Sequence, residues 1–325
     1  MLTLAAVRDK TVCVRLPGLQ TSRAAHGGTE EVSQPELTLV AHLYPRIETH
    51  LIKLLRSVSP EDWLRPTLCP GWSVKDIAAH LLDTNLRRLS MCRDGFFGET
   101  PENADSYDGL VRFLDRLNAD WVRAARRISP RALTDWMEIT SVEVGNFFAA
   151  LDPFAKAPFP VAWAGESESL NWFDIAREYT ERWHHQQQIR LAVAQPGTPA
   201  TTEIMTRELY HPVLDTFLRA LPRTYAQTDA PEAAAVKITV SGEAGGVWFL
   251  LRHTGAWRLT KTAPAAPATT EVTIPQNLAW RLFTNSFPAE ARASVQTHGD
   301  ARLAAPLFQA VAVMAMPKNP PQSER

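Results

Sequence analysis

From Leu37 onward, apolar residues recur at three- and four-residue spacing: Leu37, Val40, Leu43, Ile47, Leu51, Leu54 and Leu55 fall on one face. That period predicts an amphipathic helix. Ser59-Pro60-Glu61-Asp62-Trp63 has the character of a helix start, and Cys69-Pro70-Gly71-Trp72 that of a turn. A second long helix is predicted from Ser73, where Ser73 and Asp76 resemble a capping box and Val74, Ile77, Ala78, Leu81, Asn85 and Leu89 share a buried face. His80 falls just off the edge of that face, where a side chain can enter a cleft instead of dry core. A third helix is predicted over residues 107–128, with Leu110, Phe113, Leu114, Leu117 and Trp121 inward, and Ser129-Pro130 starts another short piece. Residues 147–165, rich in aromatics and proline, read as a long ordered loop whose Phe159 and Trp163 suit a packed lid or pocket wall. A fourth long helix is predicted over 170–194, ended by Gln195-Pro196-Gly197, and a helical piece over 203–221 completes a bundle.

After about Asp229 the pattern changes. Strands are predicted at 236–242, 246–252, 256–260, 270–274 and 293–297, with helices at 275–285 and 301–316. The expected class is therefore α followed by α+β: a helical bundle over 34–228 and a small α+β domain over 229–318. Residues 1–33 lack either period and read as a disordered extension, and 319–325 as a tail.

Composition narrows the function. Lys plus Arg total 34 against 35 Asp plus Glu, so no charge excess points to nucleic acid or an anionic membrane. No segment is long and apolar enough to span a bilayer, and no signal peptide is evident. Three cysteines, Cys13, Cys69 and Cys92, form neither a disulfide framework nor a zinc knuckle, which favours a reducing cytoplasm. There is no Gly-x-Ser-x-Gly elbow and no phosphate-cradling loop.

The fourth long helix carries the chemistry. Asp174, Glu178, Glu181 and His185 fall within one stripe, flanked by Trp172, Ile175, Tyr179 and Trp183. Glu181 and His185 lie one turn apart, the spacing that aims a carboxylate and an imidazole at one point in bundle metal sites. His80 on the second helix can supply a third ligand. Two imidazoles and one carboxylate leave a fourth position open, as in catalytic zinc sites; nickel, cobalt or iron would also accept the set. The same Glu-x-x-x-His spacing also serves simple surface pairs. His184 competes as a ligand but points about 100° from His185, toward the flank near Phe173, and is read as packing or supporting. His42, His50, His253 and His298 are read as surface histidines.

Residues 67–76, Thr-Leu-Cys-Pro-Gly-Trp-Ser-Val-Lys-Asp, followed by His80-Leu81, resemble the signature of the mycothiol-dependent maleylpyruvate isomerase family. Glu181-x-x-x-His185 resembles its second motif, and the C-terminal strands with Val295-Gln-Thr-His-Gly-Asp-Ala-Arg-Leu303 resemble the sterol-carrier-like domain often attached. The resemblance spans residues 35–316. It implies a DinB-like, up-and-down, metal-binding four-helix bundle, with His80, Glu181 and His185 as ligands. Gln188 stands where many members place an aspartate; it can hydrogen-bond near His185 without supplying the same charge.

Two functions follow as expectations. One is a metal- and low-molecular-weight-thiol-dependent isomerase or S-transferase, with zinc first and nickel second, mycothiol as the thiol, and a small electrophilic substrate. Arg177, Arg182, Arg281 and Arg302 are candidates to meet an anionic substrate. The other is a non-catalytic metal- or ligand-binding regulatory protein of the same fold.

Overall fold

The computed structural model describes residues 37–101 and 106–315. The expected extension over 1–33 and tail over 319–325 lie outside the described residues.

The first helix, α1, spans Tyr44–Ser57, later than the apolar pattern suggests. Pro45 sits in its first turn, where a missing N–H costs nothing. Residues 37–40 are extended or irregular, and 41–43 form a single 3₁₀ turn. Helix α2, Val74–Arg87, begins with the predicted reciprocal cap: Ser73 Oγ accepts from the Asp76 amide at 3.2 Å, and the Ser73 amide donates to Asp76 Oδ2 at 3.0 Å. It continues into a π-helical turn, Arg88–Arg93.

Helix α3, Tyr107–Ala125, packs on α2, and Trp121 Nε1 donates to the Ala79 carbonyl at 2.8 Å. The five residues expected to point inward from α3 are only half-buried; Val111, Val122 and Ala125 are its buried apolar positions. The reason is α4. In place of a short piece, Pro130–Ala150 is a 21-residue helix with Pro130 in its first turn and Ser129 as cap. Its buried face runs Leu133, Met137, Ser141, Val144 and Phe148. Helices α1 and α2 each pack against both α4 and α5, Asn171–Val193, so these four enclose the bundle core and α3 lies outside. The predicted loop is displaced accordingly to residues 151–170. Its Trp163 is buried edge-on to Phe173, a wall and not a free lid.

Short helices α6 (Pro199–Thr202), α7 (Arg207–Leu218) and α8 (Leu221–Thr224) follow. The chain then forms β1 (Ala235–Ser241), β2 (Gly246–His253), β3 (Ala256–Thr260) and β4 (Thr270–Pro275). Helix α9 (Gln276–Phe283), β5 (Gln296–Gly299) and α10 (Ala301–Ala304) complete it. The sheet order is β3-β2-β1-β4-β5, antiparallel except for the parallel β1–β4 pair. Val236, Ile238 and Val240 of β1 alternate inward with Trp248, Leu250, Val272 and Ile274 of the neighbouring strands. The expected strand at 293–297 is shifted to β5, because residues 289–294 take a 3₁₀ turn. The expected final helix over 301–316 stops after one α turn and a 3₁₀ turn; Pro306 cannot donate to a continuing α ladder.

The core does not stop near Asp229. Trp183 of α5 stacks on Tyr210 of α7, with ring centroids 4.1 Å apart and planes 9° apart, and meets Trp280 of α9 edge-on at 6.0 Å. One apolar cluster therefore includes residues of both the bundle and the sheet. No helix among the described residues is long and apolar enough to cross a membrane.

Candidate metal centre

Helix α5 is buried on nearly all sides, so polar residues along it must find partners inside the protein. It meets this requirement in three ways. Near its start, Asp174 and Glu178 share Arg88, whose Nη1 donates to Asp174 Oδ2 at 2.7 Å and Nη2 to Glu178 Oε1 at 2.6 Å. Arg177 also pairs with Asp174, and with Glu178 at 3.1 Å. One turn on, Arg182 crosses to Glu48 at 3.1 Å and Tyr44 Oη at 2.9 Å, and bonds to Asn85. The remaining stretch carries Glu181 and His185. The stripe read from the sequence is thus divided, with Asp174 and Glu178 serving an internal ion-pair network.

His80, Glu181 and His185 come together. One donor atom from each lies within 4.8 Å of the others. His185 Nε2 stands 3.4 Å from Glu181 Oε2, and the rings of His80 and His185 meet edge to face with centroids 4.9 Å apart. Both histidines are buried, whereas the Glu181 side chain is 19% exposed, so the cluster opens to solvent on the Glu181 side.

Hydrogen bonding defines the atoms offered. His185 Nδ1 lies 2.8 Å from Gln188 Oε1, an amide oxygen that can only accept, so it is the Nδ1–H form of His185 that completes this bond. In the neutral ring, Nε2 then presents a lone pair to a carboxylate oxygen. Two acceptors facing each other repel unless a cation lies between them. His80 Nδ1 is also buried with no hydrogen-bond partner. The donor chemistry therefore fits a divalent metal of borderline softness.

Electrostatics point the same way. Burial lowers His80 well below the ordinary histidine range, with His185 adding to the effect, which favours the neutral, ligating form. Burial alone raises the Glu181 carboxyl; only the positive charge of protonated His184, His185 and His80 holds it well below the carboxylate range, so with neutral rings the carboxylate needs a cation in their place.

His184 remains outside the cluster. Its Nδ1 donates to the Thr180 carbonyl at 2.8 Å, its ring lies between His185 and Phe217, and burial pushes it down to about 3. Cys69 is half-buried, and its thiol is pushed up to about 11 by burial and by the Glu181 charge. Sequence reasoning missed Trp72, which it treated only as part of a turn. The Trp72 ring lies 5.0 Å from His80 and 6.4 Å, stacked, from His185. A two-residue bridge, Pro66 to Ser73, and the Thr67–Trp72 bonds hold it there, with Gly71 at φ +79° permitting the turn. The signals for it were its place in the 67–76 signature and its adjacency to the helix bearing His80.

The other candidates lie elsewhere. His50 pairs with Glu203 at 3.2 Å and His253 faces Glu232 at 3.7 Å; His42 and His298 are exposed. Of the four arginines considered for substrate, Arg177 and Arg182 are committed to buried ion pairs. Arg281 Nε donates to the Ser286 carbonyl, and Arg302 pairs with Asp300.

Residues 44–190 match the family model described as the mycothiol maleylpyruvate isomerase N-terminal domain. The match spans 147 of the 325 residues. The match takes in all three clustered residues and ends before the sheet. Two crystal structures of the mycothiol-dependent maleylpyruvate isomerase, one of them a single-site mutant, are similar to the chain at 13% and 12% identity. Each alignment covers 74% of this chain and 86% of the other, with a TM-score of 0.45. No curated relative matches the chain.

Proposed function

We propose that His80, Glu181 and His185 hold a divalent metal, zinc first and nickel second, in a thiol-dependent isomerase or S-transferase of the maleylpyruvate isomerase type. The observation that carries this reading is His185 Nε2 facing Glu181 Oε2 at 3.4 Å beside buried His80, whose Nδ1 has no hydrogen-bond partner among the described residues. The match of residues 44–190 to the mycothiol maleylpyruvate isomerase N-terminal domain model supports it. A cation held there supplies Lewis acidity that keeps a low-molecular-weight thiol, mycothiol by family, in its thiolate form. Glu181 contributes the one negative charge of the ligand set. Trp72, packed against both imidazoles, limits water on that side, while the partial exposure of Glu181 leaves a way in.

A thiol bound beside His80, Glu181 and His185 would supply a nucleophile able to add reversibly to an electrophilic double bond, the chemistry that an isomerase and an S-transferase share. A cytoplasmic setting, where such thiols stay reduced, belongs to the same proposal.

Elemental analysis of wild type beside His80→Ala, Glu181→Ala and His185→Ala tests the site. Unchanged metal content in all three rejects it. Thiol-conjugation assays over a series of electrophiles then test the reaction: tight metal binding without thiol-dependent turnover favours a non-catalytic binding protein.

A further inference from the structure

The cluster has a support that neither motif names. Gln188 is buried, lies on α5 one turn beyond His185 and two beyond Glu181, and its Oε1 is 2.8 Å from His185 Nδ1. A neutral imidazole has one protonated and one free nitrogen, and whichever nitrogen donates decides which can ligate. Free histidine side chains favour neither arrangement strongly enough to make that choice unaided. Here an amide oxygen takes the Nδ1 proton and the opposite nitrogen, Nε2, is the one turned toward Glu181.

The neighbours offer no substitute for Gln188. His184, whose ring is 4.0 Å from His185, uses its own Nδ1 on the Thr180 carbonyl. Gln186 bonds to the Ile47 carbonyl and to Arg190, and Gln187 to the Thr201 carbonyl. Trp72 packs on the ring face and supplies no acceptor. The run of three buried glutamines therefore divides its work: two pin α5 to its surroundings and the third addresses the cluster.

We propose that Gln188 is a positioning residue that fixes His185 in its Nδ1–H tautomer, so that Nε2 is presented for metal binding before any metal arrives. This rests on the metal-site reading above. Partners of this kind typically govern metal affinity by 10- to 100-fold.

The test begins with metal-free wild-type protein, uniformly ¹⁵N-labelled, at pH 8. Long-range ¹H–¹⁵N correlations of the histidine rings, with the His185 resonances assigned by His185→Gln, report which nitrogen is protonated. The Nδ1–H pattern is expected; the Nε2–H pattern overturns the proposal without any variant at position 188. Zinc affinity is then measured by chelator competition. Gln188→Met, close in volume and lacking the oxygen, is expected to weaken zinc 10- to 100-fold, and Gln188→Glu, which keeps an acceptor, to restore it. Equal affinity in wild type and Gln188→Met overturns the role of Gln188 while leaving the site intact. Absence of zinc binding by wild type overturns the site reading and the positioning role together.

Discussion

Replacing Glu181 by glutamine separates a metal site from an ordinary ion pair, because the two make opposite predictions for the metal-free protein. In chelator-treated wild type at pH 8, the Glu181 carboxylate faces the His185 Nε2 lone pair at 3.4 Å. Glutamine of the same shape can turn an N–H toward that lone pair. It removes a buried charge and replaces an acceptor–acceptor contact with a hydrogen bond, a net gain of about 0.5–1.5 kcal/mol. At about 2–4 °C per kcal/mol for a large domain, the midpoint of thermal unfolding should rise by roughly 1–6 °C. Zinc reverses the order. With free zinc about 1,000-fold above Kd, wild type gains about 4.1 kcal/mol, or roughly 8–16 °C, whereas Glu181→Gln gains little. Differential scanning calorimetry with and without zinc reads both effects. A metal-free Glu181→Gln protein that melts below wild type, or one that keeps the full zinc shift, refutes the reasoning.

Two further outcomes test the surroundings of the centre. Arg88→Met leaves Asp174 and Glu178 with Arg177 as their remaining ion-pair partner and should cost about 3–5 kcal/mol in urea denaturation, against no more than about 0.5 kcal/mol for Arg302→Met at the surface. Burial holds His184 down at about 3, below its unfolded value near 6.5, so the unfolded chain takes up the proton first and stability falls as pH drops through that window. Between pH 6 and 5, metal-free wild type should lose stability more steeply than His184→Gln, by up to about 1.4 kcal/mol per pH unit; parallel curves would contradict the burial argument.

Helix phase put Glu181 and His185 on one face of a helix and His80 at the edge of another face, and the family resemblance of residues 67–81 joined the three into one expected site. What escaped depends on other elements. Helix α4 was obscured because Trp136, Ile139 and Val142 lie exposed on its outer face, adding apolar residues where a clean amphipathic pattern would have none. Asp174 and Glu178 share a stripe with Glu181, yet Arg88 approaches from the end of α2, a contact that no spacing within α5 encodes. Trp72 reaches the histidines through a turn whose shape depends on the Pro66–Ser73 bridge. The overlong last helix is a different error, since Pro306 stood in the sequence as a stop signal.

Glu181 and Trp183 present opposite faces of the same helix: Glu181 looks into the bundle, while Trp183 lies against Tyr210 and Trp280. The helix that carries two of the three clustered side chains is therefore seated on rings supplied by the part of the chain beyond the family domain. A shortened chain ending at residue 190 would uncover that seat and loosen the register of Glu181 and His185. Over evolutionary time the same arrangement couples distant positions: a change at Trp183 should be tolerated chiefly where Tyr210 and Trp280 change with it. The sheet can then diverge freely along its outer strands, while the rings that α7 and α9 set against α5 keep pace with the bundle.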